Sequence, residues 1–109
     1  MLFVIATSQV FAGEVVVTPN EVNALVQAAA AADSGDILLL EYGALFPNQG
    51  SVIINKELTI KATGDASLAK PYIKQIPNEA GDYGSQTIEV HANLTLINIQ
   101  FDLLKRSFY

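Results

Sequence analysis

Apolar and polar positions alternate in short runs over most of this chain, and one early stretch carries a helical period instead. Val22, Leu25, Val26 and Ala29 recur at i, i+3, i+4 and i+7, which gathers them on one face, and the alanines at 28–32 raise propensity while allowing close approach. Thr18-Pro19-Asn20-Glu21 precedes that face as a start signal. The Thr18 hydroxyl can accept from the Glu21 N–H while Glu21 reaches back, and Pro19 sits where its missing N–H costs nothing. The spacing predicts a helix from Pro19 to about Ala32, stopped by Asp33-Ser34-Gly35-Asp36, with Gly35 free to take positive φ.

The remaining runs have the length and residue types of strands. Val15-Val16-Val17 is a short β-branched run before the helix, and Ile37-Leu38-Leu39-Leu40 reads as a fully buried strand directly after it. Further strands are expected at 52–54, 58–60, 72–76, 87–90 and 94–99, divided by Tyr42-Gly43, Pro47-Asn48-Gln49-Gly50, Gly64-Asp65 and the polar stretch 77–84. The stretch between Gly64 and Gly84 reads as an excursion projecting from one corner. Ile54-Asn55-Lys56-Glu57-Leu58-Thr59-Ile60 matches Val90-His91-Ala92-Asn93-Leu94-Thr95-Leu96 at an offset of 36 residues. In each copy a strand ends in a polar corner and a second strand opens with Leu-Thr, its first and third side chains on one side. A repeating chain turns its corners in this way.

These parts in this order resemble the N-terminal region of the pectate-lyase-like superfamily, in particular alginate lyase and chondroitinase B-like proteins. The resemblance runs from Val15 to Asp102. It lies in EVNALVQAAAAADSGDILLLEYGALF, with Gly35-Asp36 and Glu41-Tyr42-Gly43, then in 56–61, Lys70-Pro71-Tyr72-Ile73 and 88–101. Gly-Ala-Leu-Phe after Tyr42 and the sequence at 82–85 depart from the family pattern. The resemblance implies an all-β, right-handed parallel β-helix (a solenoid) with one N-terminal capping α-helix, of which this chain holds about two to three coils. The missing downstream coils of the same solenoid are then its partner. It further implies a parent protein that binds or cleaves polysaccharide, as a lyase that can use calcium, with the catalytic groups on later coils. The alternative is a non-catalytic adhesin or structural surface protein.

Length allows no second folded domain, and 50% hydrophobic with 16% charged residues argues against disorder. A net charge of −5 with six scattered basic residues offers no footprint for nucleic acid. Cysteine is absent, which excludes disulfides and thiolate metal clusters. Residues 2–10 (LFVIATSQV) are an apolar run of signal-peptide length, and Val10-Phe11-Ala12 is a small-x-small site before Gly13. We therefore read 1–12 as a signal peptide and 13–109 as the incomplete β-helix unit, on a secreted or cell-surface protein. A basic n-region is missing, and a buried first strand is the alternative. The run is far short of the roughly 20 residues of a membrane span.

The candidate chemistry is sparse, and no residue is assigned a catalytic, cofactor-binding or metal-binding role. His91 is the single histidine and occupies the corner that Asn55 holds in the first copy, which favours a polar corner over catalysis. Asp33 with Asp36, and Asp82 with Glu79, are acidic pairs at turns that match no EF-hand spacing. Lys105-Arg106 reads as a solvated turn, and Asn93-Leu94-Thr95 fits a glycosylation sequon at a corner.

Overall fold

The computed structural model describes residues 13–77, 79–81 and 88–101. Within them the chain is mostly β, with parallel sheets and one α-helix. Strands β1 (Glu14–Val16), β2 (Ile37–Glu41), β3 (Leu45–Asn48), β4 (Val52–Ile54), β5 (Leu58–Thr63), β6 (Tyr72–Gln75), β7 (Ile88–Val90), β8 (Leu94–Ile97) and β9 (Gln100–Phe101) join helix α1 (Ala24–Ala31) between β1 and β2. They form three sheets ordered β1-β2-β5-β8, β3-β6-β9 and β4-β7, and every pairing is parallel. After β2 the chain visits the three sheets in turn, and each new strand lies beside its predecessor from the previous visit.

The 36-residue repeat is a stacking register. Ile54 pairs with Val90, Leu58 with Leu94, Thr59 with Thr95 and Ile60 with Leu96, so the two copies lie on one another residue for residue. Their corners stack as well, with His91 N–H donating to Ile54 O at 2.8 Å and Leu58 N–H to Asn93 O at 3.1 Å. Earlier registers are shorter. Ile37 pairs with Thr59 at 22 residues and Leu45 with Tyr72 at 27, whereas Val52, in the same β4-β7 pair as Ile54, meets Ile88 at the full 36. The 64–84 stretch is therefore not one projecting excursion. It holds β6, which lies between β3 and β9 in their sheet.

Side chains pointing between the sheets make the core: Leu38, Leu40, Phe46, Val52, Ile54, Leu58, Ile60 and Ile73, joined by Leu25 and Ala29 of α1. Alternation along β5 (Leu58, Ile60 and Ala62 buried) follows the period of two that an extended backbone imposes. The same rule corrects the reading of 37–40 as fully buried, since Leu38 and Leu40 are enclosed while Ile37 and Leu39 are half-buried on the outer side. Strand β3 replaces an expected turn at 47–50. Proline is admitted because β3 lies at the edge of its sheet, where Pro47 needs no N–H to complete the ladder.

The helix starts later than Pro19. Asn20 and Asn23 take φ of 63° and 66°, in the left-handed region, which breaks a right-handed helix at each. Asn23 becomes the N-cap, and its side chain makes no capping bond to the helix because it accepts from the loop that follows β3. Thr18 and Glu21 form no capping box. Leu25 and Ala29 face the core as the spacing requires, whereas Val22 falls outside the helix and is exposed.

Candidate functional site

The most organised polar geometry lies at the head end, where β3 and β4 are first in their sheets and α1 packs against both. A parallel edge strand presents N–H and C=O groups that water or another strand must satisfy. Here two asparagines do so. Asn20 N–H donates to Leu45 O at 2.7 Å and Leu45 N–H donates back to Asn20 Oδ1 at 3.2 Å. Asn23 N–H donates to Pro47 O at 2.9 Å, and its Oδ1 accepts from the N–H groups of Gln49 (2.8 Å) and Gly50 (3.1 Å). Left-handed backbone at both asparagines turns their amides toward the edge, so the chain imitates a neighbouring strand without being one.

The far end of α1 is tied down by charge. Lys56 Nζ donates to the carbonyls of Ala30, at 3.2 Å, and Ala32, supplying a cation where helix carbonyls lack partners. Beside it Val26, Ala30, Ser51, Ile53, Asn55 and Lys56 line a shallow cleft of about 220 Å³. Its one charged group is already engaged with the helix.

Asp36 is the buried carboxylate of the head end, at 8% exposure. Its Oδ1 accepts from Gly13 N–H at 3.1 Å and its Oδ2 from Asp33 N–H at 2.9 Å, while its own carbonyl accepts from Thr59 N–H. Asp36 thus ties the start of β1 to the turn before β2. Asp33 is exposed and contributes its backbone to this arrangement. Among the described residues no group of three or more His, Cys, Asp or Glu converges. Glu79 is exposed, and Asp82, Lys105 and Arg106 lie outside the described residues.

His91 is exposed at its corner with Nε2 at 3.3 Å from Glu89 Oε1, an ion pair when the ring is protonated. Asn93 is exposed and directly precedes β8. Asn98, left-handed at φ 59°, donates from Nδ2 to the Tyr42 hydroxyl at 3.1 Å, joining the corners after β2 and β8. Asp65 accepts from the Ser67 hydroxyl at 2.7 Å and N–H at 3.0 Å, and these bonds, the side-chain one foremost, hold its carboxyl below the ordinary 3.8. No general base, electrophile and nucleophile meet among these residues. The asparagine seal was invisible to pattern reading, because Asn20 and Asn23 look like ordinary helix-start residues until their backbone is seen to be left-handed.

No helix among the described residues is long and apolar enough to cross a membrane. A scan against models of protein families matches none, and a search among curated proteins returns no relative.

Proposed function

We propose that this chain is the N-terminal cap and opening coils of a secreted or cell-surface right-handed parallel β-helix that binds or cleaves polysaccharide on later coils. The stacking of the 36-residue repeat on itself carries the reading. Three parallel sheets visited in turn are what a coil with three faces produces, and parallel crossovers are right-handed in about 98% of cases. A helix across one end with sealed strand edges suits a cap that limits coil-on-coil addition there.

The polysaccharide part rests on the resemblance stated above. A lyase needs a base, a cation to neutralise the uronate carboxylate and a groove several coils long, and calcium is the cofactor such a parent would use. A protein extending this chain through its following coils should release unsaturated uronates from alginate, pectate or chondroitin, read as an ultraviolet absorbance rise. The 109-residue chain should release none. Turnover by the short chain would overturn the placement of the active site, and neither cleavage nor binding by the long one would sink the polysaccharide reading.

A further inference from the structure

We infer that Gly13 becomes the mature N-terminus and that its new α-ammonium pairs with the carboxylate of Asp36, so that removal of residues 1–12 fastens β1 to β2. The inference rests on the export reading above and adds to it a structural consequence of processing. Gly13 N already donates to Asp36 Oδ1 at 3.1 Å in the uncut chain. Its carbonyl accepts from Ile37 N–H at 2.8 Å, which holds the nitrogen in place at the start of the β1-β2 ladder. A Cβ built on Gly13 would stand 3.4 Å from the same carboxylate oxygen, so Asp36 closes directly over this residue.

The carboxylate has reason to want a cation. It is 8% exposed and is held by two neutral amide donors. The ion pair seen among the described residues joins His91 to Glu89, far along the chain, and no described lysine or arginine bridges Asp36. A buried charge is costly unless paired. Cleavage supplies the missing partner at the atom already in contact.

The step needs water and an endopeptidase that accepts a small-x-small sequence, here Val10-Phe11-Ala12. The water oxygen bonds to the Ala12 carbonyl carbon, the bond to Gly13 nitrogen breaks, and that nitrogen takes one proton from the water. A second proton, released by the new Ala12 carboxyl, makes it an ammonium. A neutral donor becomes a charged one, and charge-assisted hydrogen bonds are roughly twice as strong as neutral ones.

The full chain should be made both in a secreting host and in a cytoplasm that leaves it uncut, as wild type and as Asp36→Asn. Exported protein should begin at Gly13 on N-terminal sequencing and melt about 4–8 °C above the uncut chain. That gain should vanish in Asp36→Asn, whose side chain still accepts a hydrogen bond but carries no charge. Should the variant fold poorly, the wild type suffices: cyanate at neutral pH should carbamylate the Gly13 amine about tenfold more slowly in folded protein than in urea. A mature start elsewhere, or no processing, overturns the inference together with the cleavage site. A start at Gly13 with an equal gain in both proteins, or with an unprotected amine, overturns the pair and leaves export standing.

Discussion

Asparagine enters the left-handed region at lower cost than other side chains with a Cβ, and its short amide can bond to backbone nearby. Asn20, Asn23 and Asn98 all use that freedom, each where the chain reverses. At Asn23 one residue supplies a backbone donor to Pro47 O and an acceptor to two N–H groups. Asn23→Ala strands those N–H groups and keeps a Cβ in left-handed backbone, so it should cost about 2–4 kcal/mol. Asn23→Gly removes the strain and keeps the lost acceptor, so it should cost about half as much. Urea midpoints of the two variants separate the terms, and an Asn23→Ala chain within about 0.5 kcal/mol of wild type would remove the seal from the account.

At the scale of elements, α1 is short and lacks acidic residues in its first turn and basic ones in its last, so isolated stability is not what holds it. Packing against β3 and β4 does, helped by Lys56 from the following loop. Leu25 is 1% exposed and Gln27 faces water. Leu25→Asp buries a carboxylate and should cost several kcal/mol, while Gln27→Asp should shift stability by less than about 1 kcal/mol; equal thermal shifts would mean that the helix is not docked. Sequence pattern located this buried face because Leu25 and Ala29 obey a local period. It misplaced the helix start because Thr18-Pro19-Asn20-Glu21 is a sound capping signal that a non-local demand, the open edge of β3, overrides. It missed β3 for the same reason in reverse, since Pro47-Asn48 reads as a turn unless an edge strand is already known to be there. The repeat at 54–60 and 90–96 was legible because stacking forces identical roles on residues 36 apart. The Asp36 contact with Gly13, spanning 23 residues, had no local signature.

For the whole molecule the two ends differ. The head is sealed over β3 and β4, but at the tail the same repeat positions lose their cover: Ile54 is 0% exposed against 52% for its partner Val90, and Ile60 2% against 42% for Leu96. Residues in matching positions differ in burial because β5 lies between β2 and β8 and β4 between α1 and β7, whereas β7 and β8 each have one described strand neighbour. Among the described residues each of β7, β8 and β9 is also last in its sheet, with no strand beyond it at the end where those side chains emerge. Apolar side chains beside open parallel edges favour association, both by removing area from water and by completing ladders. The purified 109-residue chain should therefore sediment as oligomers, with association strengthening as concentration rises. Val90→Lys and Leu96→Lys place a charge at the tail without touching the sealed head, and together they should shift the chain toward monomer while leaving its melting temperature within a few degrees. Sedimentation velocity on both proteins checks this. A wild-type chain that stays monomeric at high concentration would show that Val90 and Leu96 are tolerated in water, and the case for a further coil covering them would lose its physical basis.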